Sequence, residues 1–210
     1  MRIVPKIASV AMALTAAGIG SIPVSASAES RVTGCSTTMN IARINVHEPV
    51  QFYNGAPDDG RGTAIQNTGI LASPVGRSGG VEPGQTGNFH VDGHRNTAGG
   101  PLHDLVDMQR GDLVKVRVKC AGRSDTTYTY SVNRRPRYIN FFTEAGRAKQ
   151  LAPRPFHVGQ PAENEYLTIS TCATQEDAAR GEHRRDRYGN PPGRFVVIAT
   201  LARTTRHPIG

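Results

Sequence analysis

Alternation of apolar and polar residues is the clearest pattern in the chain. In "DLVKVRVKC" (residues 112–120), Val114, Val116, Val118 and Cys120 face one way and Lys115, Arg117 and Lys119 the other. That is the period of a half-buried strand. "AGRSD" makes a turn, and "TTYTYSV" returns with Tyr128, Tyr130 and Val132 on one face, which predicts a β-hairpin. In "NIARINV", Ala42, Ile44 and Val46 alternate with Arg43 and Asn45, so a further strand is expected there. "GNFHVD" sets Phe89 and Val91 on one face of another. "YLTISTC" turns Leu167, Ile169 and Thr171 to one side and Tyr166, Thr168, Ser170 and Cys172 to the other. "RFVVIATL", from Arg194, is a continuous apolar run suited to a strand covered on both faces. A single helical pattern interrupts: after Pro101, Leu102, Leu105 and Val106 share a face, and Gly111 ends it. The stretches 54–87, 133–163 and 173–193 are rich in polar residues, Gly and Pro and read as long, irregular loops. Short strands, one short helix and long loops predict a mainly β fold, a closed or nearly closed barrel.

Composition agrees with this picture, since 23 Gly and 14 Pro are spread along 210 residues. The length suits one domain behind an export segment. Residues 1–28 are read as that segment: Arg2 and Lys6 precede an uncharged stretch from Ile7 to Ala28 that ends in Ala26-Ser27-Ala28, a small-residue cleavage site. The same stretch is nearly long enough to be a retained membrane anchor. Both readings place the rest of the chain outside the cytoplasm, at the cell surface or secreted. Residues 29–38 are expected to form a flexible linker and 39–210 a single folded domain. The net charge is +8. The basic clusters "RRPR" (134–137) and "HRRDR" (183–187) lie in loop-like sequence with no nucleic-acid-binding signature, so no nucleic-acid partner is expected. The charge fits a domain working near anionic lipids and cell-wall polymers.

Three cysteines, Cys35, Cys120 and Cys172, make an odd count for an exported chain. Cys120 is read either as a small buried apolar residue or as the disulfide partner of Cys35, which would leave Cys172 as the thiol. Cys172 ends its strand off the most apolar face, where a loop can open a cleft. A thiolate there would be a nucleophile if cationic neighbours stabilise it; the alternative is an incidental cysteine. His94, in the turn "DGHRN", is the candidate acid and base, with six other histidines competing. His90, His94 and His103 are close in sequence but match no common zinc spacing, so no metal site is expected. Arg194 opens the last apolar strand and could donate two hydrogen bonds to a developing oxyanion. It could instead be a strand-flanking charge that blocks edge pairing. Arg184, Arg185 and Arg187 could serve from the preceding loop.

Taken together and in order, five stretches resemble the sortase family of cysteine transpeptidases, over residues 39–203. They are "PGQTGNFHVDGHR" (83–95), "PLHDLVDMQRGDLVKV" (101–116), "TYTYSV" (127–132), "LTISTC" (167–172) and "RFVVIATL" (194–201). The resemblance implies a barrel of about eight strands with short helices. It implies Cys172 as nucleophile, His94 as general acid and base, and Arg194 as the residue that positions substrate and oxyanion. It further implies cleavage of a Thr–Gly bond in the C-terminal sorting signal of a secreted protein. The acyl group would pass to an amine of a peptidoglycan precursor or a pilin lysine. No cofactor is expected; calcium serves some family members, but no dense acidic cluster argues for it here. Tyr166, Thr168 and Ser170 share the cysteine's strand face and are candidates to line the groove.

The chain departs from the family pattern at three positions. Ile169 stands where Leu is frequent, a nearly volume-neutral change. Thr174 stands where Pro is frequent, which should loosen the loop after Cys172 and alter substrate preference. Asp92 stands where an apolar residue is usual; close to His94, it should raise that histidine's pKa and favour imidazolium. A papain-like protease does not fit, because its cysteine comes early and opens a helix. A non-catalytic exported binding module with the same barrel is the remaining alternative, and it would keep its function after Cys172→Ala.

Overall fold

The computed structural model describes residues 34–57, 59–76 and 80–208. The expected leader, residues 1–28, lies outside them. The first strand, β1 (Cys35–Ile41), begins inside the stretch expected to be a linker. Alternation explains this: Thr37, Met39 and Ile41 are buried and the residues between them are not. The strand expected through "NIARINV" does not run on. A 3-10 turn at Ala42–Ile44 follows β1, and Asn45 takes the left-handed conformation at φ 53°. Asparagine tolerates that region better than most residues. The chain thereby reverses into β2 (Val46–Asn54), antiparallel to β1.

The stretch 54–87 is more ordered than its composition suggests. It holds helix α1 (Gly60–Gln66) and strand β3 (Leu71–Val75). Asp59 caps the helix, its carboxylate accepting the N–H groups of Arg61 and Gly62. That cap offsets the poor helix propensity of Gly60 and Gly62. The helix is the crossover that lets β3 lie parallel to β2. Strand β4 (Gly87–Asp92) is buried throughout. The helical pattern after Pro101 forms a 3-10 segment, His103–Asp107, which drives Leu102, Leu105 and Met108 into the core.

The predicted hairpin forms as β5 (Leu113–Cys120) and β6 (Asp125–Val132), with Val114 opposite Tyr130. The connection 133–163 is not wholly irregular: it contains β7 (Arg137–Asn140) and helix α2 (Glu144–Leu151), capped by Thr143. Strand β8 (Glu165–Cys172) follows, then helix α3 (Thr174–Ala179) inside the expected loop 173–193. The last strand, β9 (Gly193–His207), extends well past the apolar run.

Eight strands close in the order β6-β5-β1-β2-β3-β4-β8-β9, with β9 pairing back onto β6, and β7 lies outside on β9. The interior is filled by Met39, Phe89, Tyr130, Leu167, Ile169 and Val197, among others. Each fully buried aliphatic side chain of this kind contributes about 1.5–3 kcal/mol. A second apolar cluster of Ile139, Phe141, Val196 and Ile198 lies on the opposite face of β9, with Phe156 packed against it. This is why "RFVVIATL" reads as apolar on both sides. Cys35 and Cys120 are opposite each other on β1 and β5 and form a disulfide. Cross-linking residues 85 apart in sequence stabilises the fold by about 4.6 kcal/mol in the chain-entropy account.

Candidate active site

Three strand ends meet at one mouth of the barrel. Strand β8 lies between β4, parallel to it, and β9, antiparallel to it. The register places Cys172, the last residue of β8, directly opposite Arg194 near the start of β9. His94 follows β4 by two residues, and its carbonyl accepts the N–H of Leu102. Two cross-links fix β4 against β8 at this end: Thr171 Oγ1 donates to the Gly93 carbonyl at 2.8 Å, and the Gly93 N–H donates to Ser170 at 3.2 Å.

Cys172 and His94 line the same cleft, a space of about 360 Å³ bordered also by Asn67, Arg95, Arg185 and Tyr188. Cys172 is half-buried and keeps its thiol. His94 is 8% exposed. The His94 Nε2 and the Asn67 Oδ1 lie 2.8 Å apart; an N–H on that ring nitrogen donates to the amide oxygen. Arg194 does not reach the cleft surface. It is 2% exposed, with its guanidinium donating to the Pro191 and Gly193 carbonyls and lying 5.3 Å from the centre of the Phe141 ring. The three sequence candidates are therefore brought to one end of the barrel, with Arg194 set behind the other two. Of the other arginines considered, Arg185 borders the cleft, while Arg184 is exposed and paired with Glu182.

The electrostatics differ from the sequence expectation at His94. Burial, and secondly the positive charge of Arg194, hold its pKa below the ordinary 6.5. Asp92 does not raise it, because that carboxylate turns away from His94. It accepts from the Ser170 hydroxyl and lies 2.9 Å from His90 Nε2. Burial alone would push the Asp92 carboxyl up, but His90, Ser170 and Arg194 outweigh it and hold it below the usual carboxylate value. His90 also meets the Gln150 side chain, at 2.9 Å. Thr168, Ser170 and Tyr166 belong to this covered outer face of β8 and do not line the cleft. Among the described residues, no group of three or more His, Cys, Asp or Glu side chains is placed to hold a metal ion.

Helix α3 braces the site. Asp177, fully buried, accepts the Gly193 N–H at 2.8 Å and the Tyr138 hydroxyl at 2.7 Å. Burial and that bond push the tyrosine up to about 12. A Cβ on Gly193 would collide with Asp177 and the Tyr138 ring. Arg95, beside His94, pairs with Glu176 at 2.7 Å and covers the Phe195 ring. The sequence reading missed Asn67, Glu176 and Asp177. The cap at Asp59 and the acids opening "TQEDAA" are the local signals for their helices.

The family model described as "Sortase domain" matches residues 39–202. Among solved structures, the chain is similar to sortase E from Streptomyces avermitilis, at 24% identity. That match covers 81% of this chain and 89% of the other, with a TM-score of 0.56. It is also similar to the SrtA sortase from Actinomyces oris (17% identity, 85% of each chain, TM-score 0.57). A third is sortase E1 from Streptomyces coelicolor, solved with a tripeptide in the active site (16% identity, 85% of this chain, 94% of the other, TM-score 0.56). A search of curated proteins found no match. Among the described residues, no helix is long and apolar enough to cross a membrane.

Proposed function

Since the chain belongs to the sortase family of transpeptidases, we propose that it cleaves a Thr–Gly bond in the sorting signal of a secreted protein and passes the acyl group to an amine. The Cys172 thiolate attacks the threonine carbonyl carbon. Negative charge moves to the carbonyl oxygen, and the Arg194 guanidinium, across from Cys172 on β9, stabilises it from behind the cysteine. The tetrahedral species collapses with cleavage of the C–N bond, and His94, as imidazolium, gives its proton to the departing glycine amine. A Cys172 thioester remains. An amine of a peptidoglycan precursor or a pilin lysine attacks it after His94 takes that amine's proton, and the thiolate is released. Water resolves the thioester slowly. The chain acts outside the cytoplasm, where such substrates are presented.

The single observation that carries this reading is the rung between Cys172 and Arg194, with His94 facing the cysteine's cleft. The ligand class agrees with the tripeptide held by the Streptomyces coelicolor relative. A His94 pKa held below 6.5 leaves only a minor fraction of the enzyme with the required imidazolium at neutral pH, so slow turnover is expected. The test is incubation with a fluorogenic sorting peptide followed by mass spectrometry of the intact protein. A mass increase by the acyl fragment, abolished in Cys172→Ala, is expected. Identical behaviour of the two proteins would refute an enzymatic role and favour a binding module.

A further inference from the structure

Cys172 and His94 each stand one residue past the last tie between their strands. The β4–β8 ladder ends with Asp92 opposite Ser170, and the Thr171 hydroxyl then donates to the Gly93 carbonyl. Past that point both chains leave the sheet: His94 lies in the turn after β4, and α3 opens at Thr174. A reacting pair has to be held to about 0.5 Å, so a tie is needed beyond the ladder.

Arg95 supplies one. It follows His94 directly, is 7% exposed, and its guanidinium donates to the Glu176 carboxylate of α3 at 2.7 Å. The chain from Gly93 to Arg95 carries His94, and the chain from Thr171 to Glu176 carries Cys172. The two reacting residues are thus bracketed between a hydroxyl–carbonyl bond and an ion pair. The same guanidinium reaches the third candidate's neighbour. Its carbon lies 5.3 Å from the centre of the Phe195 ring, and Phe195 follows Arg194 and stands opposite Thr171. The backbone of Arg95 is fixed as well: its carbonyl lies 3.1 Å from His103 Nδ1, and a Cβ on Gly100 would collide with it. Burial pushes the Glu176 carboxyl up, but the bond from Arg95 leads the effects that outweigh it and hold the group below the ordinary 4.5. Resting on the acyl-transfer reading above, we infer that Arg95 and Glu176 are positioning residues for the reaction: their ion pair sets the separation of the His94 imidazole from the Cys172 sulfur. Arg95 borders the cleft and Glu176 does not, so an effect of Glu176 on turnover runs through the protein and not through a substrate contact.

Arg95→Gln and Glu176→Gln each break the pair. Each should lower acylation kcat about tenfold or more with KM little changed, since misplacing a catalytic group by about 1 Å costs up to about 100-fold. The double variant should be no slower than the slower single one, because both substitutions remove one shared interaction. Arg95→Lys keeps the charge but loses the planar fork and should fall between wild type and Arg95→Gln. Crystal structures of the unreacted wild-type and Glu176→Gln proteins should show the His94 turn displaced from Cys172 in the variant. That comparison needs no peptide. A wild-type protein that forms no thioester would count against the transfer reading, whereas an imidazole left in place by Glu176→Gln would overturn the positioning role. Unchanged kcat in Glu176→Gln, losses that multiply in the double variant, or a rise in KM confined to Arg95→Gln would overturn it too, the last by making Arg95 a substrate contact. If Arg95→Gln does not fold, Glu176→Gln, whose side chain is 30% exposed, decides by the same two measurements.

Discussion

At the scale of single residues, the arginine and histidine are coupled, and the coupling has a sign. Arg194 opposes protonation of His94, so Arg194→Gln should bring the histidine back toward 6.5 while kcat drops about 100- to 1,000-fold. Arg194→Lys should leave the His94 titration low, because the charge survives, yet still lose most activity because the planar fork is gone. NMR titration beside steady-state kinetics separates the two effects. The placement of Cys172, His94 and Arg194 at one end of the barrel was legible in the sequence because each adjoins a strand end, where alternation and punctuation show which residue meets the loops. Asn67 was not, since its meeting with His94 depends on how α1 is set against β3. The role of Asp92 was misread for a related reason. Proximity in sequence suggested His94 as its partner, whereas on an extended strand Asp92 shares a face with His90 and stands across from Ser170.

At the scale of elements, strongly alternating segments were readable and short capped helices were not. β5, β6, β8 and the apolar half of β9 follow their patterns closely. Helices α1, α2 and α3 span 7, 8 and 6 residues, too few turns to display a period, and their sequences are polar. Their caps and tertiary bonds hold them instead. Helix α3 shows the consequence. Asp177→Ala leaves a buried Gly193 N–H and the Tyr138 hydroxyl without their acceptor, which should cost about 2–3 kcal/mol. Urea unfolding measures that loss. Activity under conditions where the variant stays folded should also fall, because the start of β9, and Arg194 with it, loses its anchor.

At the scale of the molecule, two buried groups tie stability to pH. The unfolded chain binds a proton on His94 below about 6.5, whereas the fold resists it. Stability therefore declines as pH falls from that value until His94 protonates in the fold as well. Asp92 acts lower. Its folded pKa lies under the ordinary 3.8, so its contribution is complete above that value and is lost as pH falls through the folded value. Melting temperature measured from pH 8 to pH 3 should show a shallow decline and then a steeper one. His94→Gln should remove the first and leave the second.

The long last strand serves two purposes at once. Its first half carries Arg194 beside β8 and β7, and its second half closes the barrel on β6. One continuous strand joins Arg194 to the seam, which itself carries a bulge between Leu201 and Arg203. Heat that unzips the seam also unseats the arginine, so inactivation and melting must coincide. Any effort to harden this enzyme against temperature therefore belongs at the β6–β9 junction, far from the cysteine.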